Sequence, residues 1–307
     1  MLDQSQRSLS PLYAVIDLGS NSFHMLITRL VADGVQTVDK VKRKVRLASG
    51  LDEHNQLNEM AMDRGIECLS FFAERLQDIS PNNIRIVATA TLRIATNADL
   101  FLKRAEQVLG YKVELLSGEQ EAELIYLGVA HTSDNSARRL VLDIGGASTE
   151  IVAGVHFDMA KAVSLNMGCV TYNNQFFTDG RLSQAHFLAA ISAAKNQLEP
   201  LIETYKSLGW EEVVGGSGTM QALAEVLVFH DKPAIITLTF LHELKDQLIA
   251  CTTINNITIS GLTSERSPVI ASGLSILIAL FEQFDIHHLQ LSSGAIREGL
   301  LYEMLPE

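Results

Sequence analysis

The residues of this sequence best suited to chemistry lie in two matching decapeptides. Val15-Ile16-Asp17-Leu18-Gly19-Ser20-Asn21-Ser22-Phe23-His24 and Val141-Leu142-Asp143-Ile144-Gly145-Gly146-Ala147-Ser148-Thr149-Glu150 both read apolar-apolar-Asp-apolar-Gly-x-x-Ser. In each, a short apolar run ends at an aspartate, meets glycine and small residues, and resumes as a second apolar run (Met25 to Leu30; Ile151 to Val155). That is the pattern of a strand, a tight turn and another strand. Glycine lets backbone N–H groups come close to an anion, and a carboxylate at the strand end can hold a hydrated Mg²⁺ beside it. One copy alone would be an ordinary hairpin, since Asp and Gly are common in turns. The matched repeat favours a phosphate and metal site.

Further candidates lie between and after the two copies. Arg93, in Thr89-Ala90-Thr91-Leu92-Arg93, follows the apolar run Ile84 to Ala88 at the end where open α/β sheets place ligands, and is a candidate phosphate fork. Ser117-Gly118-Glu119-Gln120-Glu121-Ala122-Glu123 reads as a capped helix start. Its three carboxylates suit the helix dipole but exceed what capping needs, so one of them is a candidate base. Lys40, Lys42, Lys44 and Arg46 alternate with Val41, Arg43, Val45 and Leu47, which places four cations on one strand face, either a solvated surface or a track for a polyphosphorylated ligand. Gly215 to Thr219 and Ser292 to Ala295 put glycines where strands give way to helices. Phosphate-loop, serine-elbow, zinc-helix and Cys-x-x-Cys motifs are absent. Cys169, in a Met-Gly-Cys loop, has no histidine nearby in sequence to activate it.

The elements that must carry these residues repeat. Residues 12 to about 130 read β-β-β-α-β-α-β-α, and the plan recurs from Arg139 onward, which divides the chain at 130/131 into two α/β domains. The second half adds a long helix from Ser183 to Leu208, helices near Thr239–Ala250 and Glu265–Phe284, and a last helix from Gly294 to Met304 that we expect to pack back on the first domain. A polar run at 131–137 is a candidate hinge. With 47% apolar and 20% charged residues the composition is that of a globular protein, and 307 residues suffice for two cores. A formal charge of −12 argues against general binding to nucleic acid or anionic membranes. Three scattered cysteines and a polar N-terminal stretch without an apolar core fit a cytoplasmic protein without a signal peptide. Pro268 to Phe281 is too short for a membrane span and reads as a buried helix.

In their order along the chain these motifs resemble the exopolyphosphatase and guanosine pentaphosphate phosphohydrolase family, a branch of the actin, Hsp70 and sugar kinase superfamily. Met167-Gly168-Cys169, Gly216-Ser217-Gly218-Thr219 and Gly294-Ala295-Ile296-Arg297-Glu298-Gly299 extend the likeness over nearly the whole chain. The resemblance implies two duplicated RNase H-like domains of the actin-like ATPase kind, each a five-stranded mixed sheet with helices, and a cleft between them. It also implies Mg²⁺-dependent release of terminal phosphate, with Glu121 matching the family's catalytic glutamate. Asp143 and Glu150 match acidic residues near metal and water, and Arg93 matches a cleft arginine. Ala147 and the stretch Lys42 to Leu47 lean toward the pentaphosphate branch. Gln120 stands where many members carry a second acid. Longer members continue beyond the position of Glu307 into a helical region, on which long-chain polyphosphate binding and formation of a homodimer would then depend.

The expected reaction converts guanosine pentaphosphate to the tetraphosphate, trims inorganic polyphosphate, or does both. Backbone N–H groups of Ser20, Asn21, Gly145 and Gly146 and the hydroxyls of Ser22 and Ser148 would hold the last phosphates. Asp143, Asp17 and Glu150 would serve Mg²⁺, Glu121 would activate water and Arg93 would offset charge. A kinase of the same superfamily and a non-catalytic alarmone or polyphosphate sensor are the rivals, because fold does not fix function.

Overall fold

The structure is a computed structural model, and it describes residues 11–31, 34–133 and 138–305. Residues 134–137 of the expected hinge, and 1–10 of the polar N-terminal stretch, lie outside the described residues. The chain forms two compact units, Met1–Ser117 with Ile296–Glu307, and Gly118–Ala295.

In the first unit, β1 (Leu12–Leu18), β2 (Ser22–Val31) and β3 (Gly34–Lys44) form an antiparallel meander. Helix α1 (Glu59–Ala73) leads to β4 (Ile84–Ala88), which pairs parallel with β1. The short α2 (Ala90–Ile94), α3 (Ala98–Leu109) and the two-residue β5 (Glu114–Leu115) complete a five-stranded sheet in the order β3-β2-β1-β4-β5. Ile16, Phe23, Met25, Phe72 and Phe101 are fully buried in its core. Asn97, placed to cap α3, does not cap it through its side chain. Instead its amide accepts from Leu57 N (2.9 Å) and donates to Leu57 O (3.0 Å), which ties down the loop before α1. The cation row also ends early. Arg46 leaves the strand with φ 53°, its carbonyl held by Ser49 Oγ at 2.7 Å, so only Lys40, Lys42 and Lys44 alternate along β3.

In the second unit, α4 (Gly118–Thr132) packs on the new sheet through β7 and β8, so the expected boundary at 130/131 falls near the end of this helix and the unit begins at its start. Then come β6 (Arg138–Ile144), β7 (Thr149–Val155), β8 (Asp158–Leu165), α5 (Cys169–Phe176) and α6 (Gln184–Leu198). The single helix expected from Ser183 to Leu208 is broken by a 3₁₀ turn, Glu199–Leu201, before α7 (Ile202–Leu208). Pro200 is the reason, since its ring cannot follow an α-helical turn or donate to it. There follow β9 (Glu212–Gly215), α8 (Gly218–Phe229), β10 (Ile235–Ile236), α9 (Leu238–Ala250), α10 (Ser267–Phe284) and β11 (Leu289–Leu291). The sheet has six strands, β10-β11-β9-β6-β7-β8, one more than expected, because two isoleucines at 235–236 add an antiparallel edge to β11. Helix α10 is long and apolar enough to cross a membrane by length and composition, but 72% of it is buried within the fold. It is apolar on every side because the core surrounds it.

The last helix, α11 (Ile296–Met304), contacts β1 and belongs to the first unit. Gly294, just before it, serves packing. A Cβ there would overlap Gly128 O and Thr132 Oγ1 of α4. Gly294→Ala is therefore expected to cost about 1–3 kcal/mol, seen as a thermal midpoint lowered by roughly 2–10 °C. An unchanged midpoint would show that α4 and this turn are not packed as described.

Candidate functional site

Asp143 is the penultimate residue of β6 and half-buried, and its cross-strand partner on β7 is Glu150, which is buried. Across β7 and β8 the next partner is Ser164, whose hydroxyl donates to Glu150 Oε1 at 2.7 Å. Glu121, also buried, comes from the first turn of α4. These carboxylates feel one another. Burial, then Glu121, then Asp143 hold the Glu150 carboxyl well above its ordinary pKa, and hydrogen bonds from Ser148 and Ser164 oppose this. The sequence marked all three acids. It gave no hint of Ser164, because a lone serine in a strand carries no pattern and only the register brings it to Glu150.

The turn between β6 and β7 is fixed from behind. Gly145 N donates to Ser148 O at 2.9 Å, and the first N–H groups of α5 donate to the turn's carbonyls: Cys169 to Gly145 O (2.9 Å) and Val170 to Gly146 O (2.8 Å). Thr149 Oγ1 donates to Met167 O at 2.5 Å, which ties the other side. A helix start must satisfy its first amides somewhere, and here the glycine turn does it. This accounts for a helix where the sequence suggested a loop. It also accounts for Gly168, whose Cβ would collide with Gly146 and Ala147 backbone atoms. Cys169 is buried with its thiol pushed up to about 11, an inert packing residue with Ser272 Oγ on its carbonyl at 2.5 Å.

In the first unit Asp17, Ser20 and Ser22 are buried and Asn21 half-buried. The turn is held by Ala48 N on Ser20 O and Arg46 N on Asn21 O, both 2.9 Å. A Cβ at Gly19 would stand 2.9 Å from Ser22 O, so the hairpin needs glycine there. Asp17 Oδ2 lies 3.4 Å from Nδ1 of His24, its cross-strand partner, a long contact between polar groups. Burial, then Arg297 and Lys42, lower the His24 pKa, and Asp17 opposes them. Arg93, on α2, donates from Nη1 to Leu116 O at 3.1 Å, which anchors its guanidinium just past β5. Sequence reading also passed over Arg266. It precedes α10 and lies against Gly218 at the start of α8, where a Cβ would meet the guanidinium, and it reaches Gln221 Oε1 at 3.5 Å. A single arginine in a loop gave no spacing to find it by.

A divalent cation fits the second half better than the first. Among the described residues no three His, Cys, Asp or Glu side chains converge closely enough to hold an ion alone. Mg²⁺ does not need them, since one or two carboxylates with phosphate oxygens and water suffice. Repulsion of Glu150 by Asp143 and Glu121 leaves negative charge for a cation to offset, whereas Asp17 lies beside His24, on which the cations Lys42 and Arg297 act.

A family model described as the Ppx/GppA phosphatase family matches residues 26–307. The chain belongs to the Ppx/GppA phosphatase family. Relatives named guanosine-5'-triphosphate,3'-diphosphate pyrophosphatase include those of Vibrio vulnificus, 56% identical, and Vibrio parahaemolyticus, 55% identical, each over 303 residues. In both cases 99% of this chain is covered but 61% of the relative, so the chain spans about three fifths of their length. Among solved structures, an exopolyphosphatase from Cytophaga hutchinsonii matches with TM-score 0.86 at 25% identity, over 95% of this chain and 97% of that one. The Aquifex aeolicus PPX-GPPA enzyme matches with TM-score 0.78 at 24% identity, over 95% and 99%. The fold is thus the duplicated α/β fold of the Ppx/GppA structures, as the repeated hairpins required.

Glu150 also makes the fold sensitive to pH. In the unfolded chain its carboxyl ionises near the ordinary 4.5, and in the folded chain at a higher pH. Between those points the native state binds the extra proton, so stability falls as pH rises. Glu150→Gln removes that loss. Without divalent ions, its thermal midpoint should exceed the parent's by a few degrees at about pH 8 and much less at about pH 4. Equal gains at both values would contradict the raised carboxyl.

Proposed function

We propose that this chain hydrolyses terminal phosphoanhydrides with Mg²⁺, releasing phosphate from guanosine pentaphosphate to leave the tetraphosphate, and from inorganic polyphosphate. The observation that carries the reading is buried Glu150 standing opposite half-buried Asp143 and close to buried Glu121, beside a glycine turn held by α5. Phosphoryl transfer to water needs placement, charge compensation and a base rather than a covalent nucleophile, and buried Cys169 offers none. The names of the Vibrio relatives support the nucleotide substrate, and the name of the Cytophaga structure supports polyphosphate.

In this reading the Gly145–Ser148 turn seats the terminal phosphate by backbone N–H groups other than that of Gly145, which Ser148 O takes, and without the Ser148 hydroxyl expected from sequence, which serves Glu150. The Ser20–Ser22 turn and Arg93 are the phosphate donors that the first unit offers. Asp143, the half-buried acid, would hold Mg²⁺ with Glu150 behind it, and the ion would neutralise charge on the phosphate oxygens. Glu121 accepts the proton of the attacking water. It lies close enough to Glu150 to act on that carboxyl's pKa. Free cysteines at 68, 169 and 251 suit the reducing cytoplasm in which we place the chain.

Glu121→Gln should lower the rate of phosphate release by about 10²–10⁴-fold while ligand affinity, measured calorimetrically, changes little. Turnover equal to the parent's would remove Glu121 from the mechanism. Tight binding by the parent with no release from either substrate would favour a sensor instead.

A further inference from the structure

The two hairpin meanders align row for row. Asp143, Glu150 and Ser164 oppose one another across β6, β7 and β8, and Asp17, His24 and Lys42 do so across β1, β2 and β3. Each aspartate precedes its partner by seven residues, 17 to 24 and 143 to 150. Directly opposed residues share one face of a sheet. Equivalent positions therefore carry a carboxylate and a hydroxyl in the second half but an imidazole and an ammonium in the first. Helix α11 lies on β1 and brings Arg297 close enough to act on His24 together with Lys42. Its neighbour Glu298 stands 3.8 Å from Lys40 and offsets that cation. Asp17 Oδ2 lies 3.4 Å from His24 Nδ1, too long to satisfy that buried nitrogen. Arg297 Nε is buried with no hydrogen-bond partner among the described residues, a donor that a bound oxyanion would satisfy.

We propose that Lys42 and Arg297, flanking the Asp17–His24 pair, form a second phosphate subsite in the first half. It takes a phosphate group of a polyphosphorylated ligand. This rests on the phosphoanhydride reading above and names the first-half residues that would recognise that substrate class. Lys42 supplies an exposed point charge and Arg297 a planar fork, the two usual forms of phosphate donor.

The test is calorimetric titration of the full chain, with Mg²⁺, using inorganic tripolyphosphate and orthophosphate as probes. The parent is compared with Lys42→Gln, Arg297→Gln and, as a charge control, Lys112→Gln. The dissociation constant for tripolyphosphate should rise about tenfold in each of the first two, that for orthophosphate should change less than about twofold, and the control should alter neither. Should Arg297→Gln fail to fold, Lys42→Gln, altered at an exposed position of an edge strand, decides alone. Unchanged tripolyphosphate affinity in Lys42→Gln, an equal loss in Lys112→Gln, or no tripolyphosphate binding by the parent would each overturn the subsite. Lys42-dependent binding without phosphate release from any substrate would instead overturn the hydrolase reading and leave the subsite standing.

Discussion

Everything distinctive in the second half depends on a repulsion. Glu150 is buried beside two other carboxylates, an arrangement that costs stability unless a proton or a cation offsets it. The fold tolerates it by restraint: Ser148 and Ser164 hydrogen-bond to Glu150, β8 holds Ser164 in register, and α4 fixes Glu121 against the same sheet. Selection for stability alone would place an uncharged residue there. A group that must bind a cation, or move a proton, needs this charge.

The first half uses the same scaffold for the opposite electrostatics. Its aspartate stands beside a histidine, with a lysine in the next strand and an arginine from the last helix close by. The two glycine turns thus stand in different surroundings, set by residues one and two strands away. In the proposed reading the first would suit anion binding, and the second metal and proton chemistry.

Much of this was legible in the sequence because it is local. A strand ending in Asp, a Gly-bearing turn and a following strand fit within ten residues, so the duplication, Asp17, Asp143, Glu150 and the turn residues were all visible, as was the helix start that carries Glu121. What escaped depends on contacts distant in sequence. Ser164 matters through register, as does the place of Lys42 opposite His24, although the cation row itself was visible; Arg297 matters through the return of α11 to β1, and α5 exists because its first amides find the carbonyls of Gly145 and Gly146. Pro200 could have warned of the break between α6 and α7, and the continuous periodicity concealed it. The glycine at 294 was visible at a strand-to-helix junction, but its close contact with α4 was not.

The most direct measurement of the central claim, that the acid cluster of the second half is the cation site, is a Mn²⁺ titration followed by electron paramagnetic resonance in the presence of tripolyphosphate. It would compare the parent with Asp143→Asn and Asp17→Asn. The account predicts Mn²⁺ affinity weakened at least about tenfold by Asp143→Asn and nearly unchanged by Asp17→Asn. Equal affinity in Asp143→Asn and the parent, or a loss confined to Asp17→Asn, would contradict it.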